Sequence, residues 1–201
     1  MYAVVNNPVT PKRDSVVGFV EGAGYVSMEA EHYTNAVSAG KIGWQRIPDF
    51  GRTLSGMTMT PVTSPSQTPT GTAARLEYRV FLFDSGAVKV RAYFSPTFNF
   101  SGAKGGLRYA ISFDDQPPQI VDAQADTATR GWEKEVAESI IVRVSSHDVA
   151  RPGCAPAEVL GGRSRASSFR KSSSRRGTCA PSYLGPPESY FRAPALPVRT
   201  P

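Results

Sequence analysis

Cysteine and histidine are nearly missing: the 201 residues hold two of each. A disulfide framework or a zinc site needs several such side chains at short spacing, so neither is expected here. Cys154 and Cys179 stand alone, and His32 and His147 are too isolated to be read as ligands or bases. Also lacking is any apolar run near the roughly 20 residues with which a helix crosses a membrane. The first residues, Met1 to Pro8, have neither the charged start nor the apolar core of a signal peptide. No membrane partner is therefore expected, nothing directs export, and the localisation stays open. No repeat recurs at solenoid or propeller periods, which removes those architectures.

Acidic residues are scarce in one place. The net charge is +6; between Arg151 and Thr178 seven basic residues meet a single acid, Glu158, while the other positions hold sixteen of each sign. The whole excess is local to a Ser/Arg-rich stretch. Such a stretch can hold phosphate backbones electrostatically. With one aromatic, Phe169, and no nucleic-acid fold behind it, the stretch is expected to be a solvated low-complexity segment without a nucleic-acid partner.

What is present is a β-rich sequence whose 40% apolar content suffices for one core. Leu76 to Phe83 and Ala87 to Phe94 are rich in β-branched and aromatic residues and flank the turn signal Asp84-Ser85-Gly86, which predicts a hairpin. In the second run Val88, Val90 and Ala92 alternate with Lys89, Arg91 and Tyr93, so one face is apolar and the other wet. Leu107 to Phe113, Ile120-Val121 and Ile140 to Val144 supply further strands, with Pro117-Pro118 breaking the chain between the first two. Trp132, Val136 and Ile140 share helical spacing, which fits a single turn or a longer helix. Short strands separated by Gly/Pro turns predict an all-β sandwich of two sheets. Asn99-Phe100-Ser101 is a glycosylation sequon, meaningful only in a secreted chain.

Six stretches carry a more specific signal: Gly24 to Thr34, Gly43 to Gly56, Arg75 to Val80, Arg108 to Asp115, Trp132 to Val136 and Ala180 to Ser189. In this order they resemble the C-terminal domain of glycoside hydrolase family 115, whose enzymes remove glucuronic acid side chains from xylan. The resemblance implies a linker or tail over 1–17, a jelly-roll-like sandwich over 18–153, the basic segment over 154–179 and a Pro-rich tail over 180–201, with both ends disordered. It also implies a fragment, since the family's catalytic pocket lies on large upstream domains, and an internal start at Met1. The partners implied are those missing catalytic domains, a xylan-type polysaccharide and a second copy of this domain; the parent enzymes are often extracellular or periplasmic.

A glycosidase needs two carboxyl groups flanking the scissile bond in a rigid pocket. Asp114 and Asp115 are adjacent, so on a strand they point to opposite faces, and Glu133 and Glu135 flank Lys134 in a solvated run. No catalytic residue is assigned. Relatives also carry, just before the Pro-Ser-Tyr-Leu-Gly-Pro-Pro-Glu-Ser motif, a strand pair patterned like Pro-Gly-Val-Val-Phe-Gln-Lys-Val-Val-Val. Codons for that pattern read one base late yield Arg-Ala-Ser-Ser-Phe-Arg-Lys-Ser-Ser-Ser, the sequence of Arg165 to Ser174. Residues 154–179 are therefore expected to be out of frame, poorly ordered and outside the sandwich.

Glu29-Ala30-Glu31 is similar, more loosely, to the first strand of carbohydrate-binding module families 6 and 35, where acids often help hold a structural calcium. Two carboxylates one residue apart share a side of a strand, which suits a hard cation, so Glu29 and Glu31 are the calcium candidates; their alternative is a polar face. No other cofactor is expected. Trp44 is the candidate sugar platform, with Gln45, Arg46 and Arg52 close in sequence and an Arg able to pair with a uronate carboxylate. The competing expectation places Trp44, and still more Trp132, in the core.

Overall fold

The apolar alternation is realised in the long strands. Along Arg75–Leu82 the buried positions are Leu76, Tyr78, Val80 and Leu82, and along Gly86–Phe94 they are Val88, Val90, Ala92 and Phe94. A computed structural model of the protein describes residues 16–50, 52–64, 68–98, 106–124, 129–161, 169–175 and 185–192. All but the last two residues of the linker expected over 1–17, the sequon at 99–101, Cys179 and the end of the Pro-rich tail lie outside them.

In chain order the strands begin with β1 (Gly18–Val20), β2 (Tyr25–Glu29), β3 (Asn35–Val37), β4 (Gly43–Pro48) and β5 (Ser55–Thr60). There follow β6 (Arg75–Leu82), β7 (Gly86–Phe94), β8 (Arg108–Phe113) and β9 (Gln119–Asp122), then a helix, α1 (Thr129–Ala137). The chain closes with β10 (Ile141–Val149), β11 (Gly153–Gly161), β12 (Phe169–Arg175) and β13 (Phe191–Arg192). Two sheets result, ordered β13-β1-β6-β11-β8-β9 with β3 also on β6, and β10-β7-β12-β5-β4 with β2 also on β12. Between them lies one main core, including Phe19, Tyr78, Phe94, Tyr109, Ile111 and Ile141. The all-β sandwich is as expected.

The predicted hairpin is not formed. β6 pairs with β1, β3 and β11 in one sheet, whereas β7 pairs with β10 and β12 in the other, so Asp84-Ser85-Gly86 carries the chain across the core. Both strands present an apolar row, and facing those rows across the core buries both, which side-by-side pairing does less completely. Gly18 shows why β1 lies where it does: its φ is 99°, and a Cβ there would run into the Arg79 carbonyl of the parallel neighbour β6.

Beyond residue 153 the chain continues in the sheets. Residues 153–161 form β11 between β6 and β8, and 169–175 form β12, a central strand between β2 and β7. Of the segment 154–179, expected to lie outside the sandwich, residues 154–161 and 169–175 are placed in the two sheets. The reason lies in the backbone: β2, β6, β7 and β8 each have a row of N–H and C=O groups that needs a partner, whatever side chains that partner carries. Part of the tail is placed as well. β13 pairs with β1, and Gly185 to Ser189 runs along β2.

Candidate functional site

The acids of the first strand lie where that strand ends and the returning tail meets it. Glu29 is the last residue of β2 and is 4% exposed; its Oε2 accepts the Thr53 hydroxyl at 2.8 Å, and its backbone N–H donates to Glu188 Oε1 at 2.9 Å. His32 Nδ1 donates to the same carboxylate, 2.8 Å from Oε1, and its ring stacks on Phe191 with centroids 6.0 Å apart. One residue upstream of Glu188 the chain is Pro187, and one downstream Ser189 bonds Ser27 in both directions: Ser27 N to Ser189 Oγ, and Ser189 N to Ser27 O, each 2.9 Å. These bonds join residues more than 150 positions apart, so Glu188 and Ser189 form a clasp that closes the sandwich.

Glu31 lies beyond the end of β2, in a turn. The strand parity that would aim Glu29 and Glu31 the same way does not extend to it. Arg46 Nε donates to Glu31 Oε2 at 2.5 Å and to Ser55 Oγ at 2.9 Å, while the two side chains are 59% and 10% exposed. Each acid is thus matched by a protein donor of its own. Among the described residues no group of three or more His, Cys, Asp or Glu side chains could hold a metal ion. Calcium needs six or more oxygens, and this pair, divided between a hydroxyl and a guanidinium, does not fit that need.

The sugar candidates are only partly brought together. β4 is an edge strand, and its pairing sets Trp44 opposite Met59 and Arg46 opposite Met57, on the core-facing row, while Gln45 sits opposite Thr58 on the other face. Trp44 is half-buried against the core, with its indole N–H buried and without a hydrogen-bond partner. Arg52 donates instead to the Glu138 carbonyl, just past the end of α1. Trp132 also packs against the core and lies 4.8 Å, centroid to centroid, from Phe98.

A second polar cluster underlies α1. Arg143 on β10 donates through Nη1 to Glu135 Oε1 at 2.6 Å, while its Nε and Nη2 and the nearby Tyr109 hydroxyl are buried without partners. Burial pushes the Tyr109 phenol well above its usual range, against a smaller opposing pull from Arg143. On the same strand Ser145 Oγ lies 2.8 Å from His147 Nε2, and burial lowers the His147 pKa from its ordinary 6.5. An unfolded chain takes up that proton near 6.5 and the folded chain resists it, so neutral His147 contributes its full stability above pH 6.5 and loses it as pH falls below. Replacing His147→Gln is expected to flatten the fall of the melting temperature with acidification below pH 6.5; parallel curves for the two proteins would contradict this.

Nothing along the chain points to the roles of His32 or Arg143. Only Glu188, within the Pro-Pro-Glu-Ser motif, carried a local signal.

Two sheets packed face to face about one core define the class of fold, an all-β sandwich. The family model of the glycosyl hydrolase family 115 C-terminal domain matches residues 18–188, and the chain belongs to that family. Among solved structures it is similar to BtGH115A, a family GH115 4-O-methyl-α-glucuronidase with specificity for decorated arabinogalactans: 12% identity, TM-score 0.51, covering 73% of this chain and 18% of that one. It is also similar to an exo-β-1,3-galactanase from Phanerochaete chrysosporium: 14% identity, TM-score 0.50, covering 77% of this chain and 30% of that one. A family 35 carbohydrate-binding module from Clostridium thermocellum gives 15% identity and a TM-score of 0.48, over 74% of this chain and 97% of that one. The chain thus spans about a fifth of the glucuronidase it matches. No curated protein matches it.

Proposed function

We propose that this chain is a non-catalytic accessory domain of an α-glucuronidase-like glycoside hydrolase, and that it supports the fold and packing of catalytic domains carried elsewhere. One observation supports the reading most: the candidate acids do not converge. Asp114 sits in the turn after β8 with φ 51° and Asp115 is exposed beside it, Glu133 is exposed, and Glu135 is held by Arg143. Two carboxylates working on one glycosidic bond need to face each other across about 5–10 Å of open pocket. The purified chain is therefore expected to release no glucuronic acid from glucuronoxylan. Adding it to separately produced catalytic domains of a family 115 enzyme is expected to raise their thermal stability. Turnover by the chain alone that disappears in Asp114→Asn or Glu133→Gln would overturn the reading.

A second reading, a free-standing xylan- or uronate-binding module, draws on Trp44. An indole half-buried on an edge strand, with the exposed Arg46 on the same row, has two parts of a sugar subsite, a flat apolar face and a cation that would exchange Glu31 for a uronate. Loss of xylan retention in Trp44→Ala, with the melting curve unchanged, would favour it.

A further inference from the structure

At the ends of the two sheets β13, β9 and β4 run for two, four and six residues, whereas β10 runs for nine. β10 pairs with β7 along its whole length, and among the described residues no strand lies on its other side. A free edge of that length is a template for another chain, and proteins usually blunt it with lysine, proline or a bulge. Here the outward side chains are Val142, Val144, Ser146 and Asp148, and the two valines are 37% and 56% exposed.

Register fixes which backbone groups of β10 face away from β7. Ser27 and Glu29 of β2 turn their N–H groups to the tail, so Val26 and Met28 bond β12, and positions 171, 173 and 175 of β12 then bond β7. By the same alternation Val88, Val90 and Ala92 of β7 bond His147, Ser145 and Arg143 of β10. Val142, Val144, Ser146 and Asp148 therefore direct their N–H and C=O groups outward. Two further bonds agree: the Val142 carbonyl accepts Arg143 Nη1 at 3.0 Å, and the Asp148 carbonyl accepts Gln116 Nε2 at 2.5 Å. Those side chains cover the two ends of the edge. Between them the N–H and C=O groups of Val144 and Ser146 have no hydrogen-bond partner among the described residues.

Positive charge lies beside this gap. Val144 is opposite Arg91 and Ser146 opposite Lys89 on the outward row of β7, and among the described residues neither cation is ion-paired. Neighbouring strands are about 4.8 Å apart, so a strand added to β10 would stand about 10 Å from β7. A glutamate on that strand and a lysine or arginine on β7 span this distance together over the small side chains of Ser146 and Val144.

We infer that the β10 edge docks an extended, acidic polypeptide segment carried by the catalytic domains. Its backbone bonds Val144 and Ser146, its outward carboxylates meet Lys89 and Arg91, and an apolar side chain among them covers Val144. Only a polypeptide offers paired donors and acceptors at every second residue, which separates this partner from a polysaccharide. Charge complementarity selects an acidic segment over a second copy of this chain, since β10 itself has a single acid, Asp148, for the two cations. The assignment rests on the reading of the chain as an accessory domain, and names the surface by which it meets the rest of the enzyme.

The test is fluorescence polarisation with the full 201-residue chain and a short labelled peptide in which valine and glutamate alternate. One control peptide has lysine for glutamate, and a second has methyl groups on the backbone nitrogens of one edge. The acidic peptide is expected to bind, to protect the Val144 and Ser146 amides from hydrogen exchange, and to be released as NaCl rises from about 50 to 300 mM. Both controls are expected to bind about tenfold more weakly or worse. Val144→Pro removes an N–H that faces away from β7, where an edge strand tolerates proline. It is expected to lose about tenfold in affinity while the β7–β10 ladder keeps its protection. Lys89→Gln/Arg91→Gln is expected to lose the salt dependence. Catalytic domains of a family 115 enzyme, added unlabelled, are expected to displace the peptide. No binding, equal binding of either control, undiminished binding by Val144→Pro, or failure of the catalytic domains to displace the peptide would each overturn the inference. Dimerisation of the free chain that Val144→Pro abolishes would overturn it too, by making a second copy the occupant. The accessory-domain reading is judged separately: thermal stabilisation of the catalytic domains that Val144→Pro leaves intact would keep that reading and sink this one.

Discussion

Replacing Ser172 and Ser174 by valine is expected to raise the unfolding midpoint by roughly 5–15 °C. The pairing of β12 sets position 172 between Met28 and Ala92, and position 174 between Val26 and Val90; all four of those neighbours are buried core residues. Both serine positions therefore lie on the core row. Each added buried methyl or methylene group contributes about 0.8 kcal/mol, and a hydroxyl placed there costs more unless it is hydrogen-bonded. Two substitutions amount to roughly 2–4 kcal/mol, and each kcal/mol moves the midpoint of a domain this size by about 2–4 °C. We propose that this is the effect of a displaced reading frame: the alternative frame supplies valine at both core-row positions and keeps Phe169 and Lys171 unchanged. Calorimetry decides the matter. A double variant that melts no higher than the parent would mean that the Ser/Arg strand is not a corrupted apolar one.

Glu188→Ala is expected to lower stability by about 2–4 kcal/mol, read as a fall in the denaturant midpoint. Its carboxylate serves two donors, the Glu29 N–H and His32 Nδ1, at 2.9 and 2.8 Å, and its removal takes an acceptor from a partly buried amide. Leaving such a donor unsatisfied costs more than the net worth of the bond itself. Glu188→Gln keeps an acceptor oxygen for the amide and is expected to lose less than half as much. An alanine variant that unfolds at the parent's midpoint would show that the clasp adds nothing to the sandwich.

Much of this was legible along the chain because it is local. Alternation in Ala87 to Phe94 identified the buried row of β7, the break at Pro117-Pro118 separated β8 from β9, and the ordered motifs pointed to the family that the match over 18–188 establishes. The site was less legible. Glu29 and Glu31 were singled out as a pair by strand parity, and the structure divides them, because β2 ends at Glu29 and Arg46 comes from another strand to meet Glu31. Trp44 kept both of its readings, half in the core and half at an edge.

The class of fold, the family, the apolar rows and the local concentration of charge can all be read along the chain, because each depends on neighbours within a few residues. Which sheet each strand joins is set by packing across the core. A run such as Leu76 to Phe83 hydrogen-bonds equally well to any partner of matching length, so Asp84-Ser85-Gly86 reads as a hairpin turn until the core requires the two rows to face each other. The same holds for Glu188, whose partners Glu29 and His32 lie more than 150 residues away, and for Lys89 and Arg175, which become neighbours only through the register of β12 on β7. Cross-strand contacts are specified by the whole packed arrangement, and no window along the chain contains both members of such a pair.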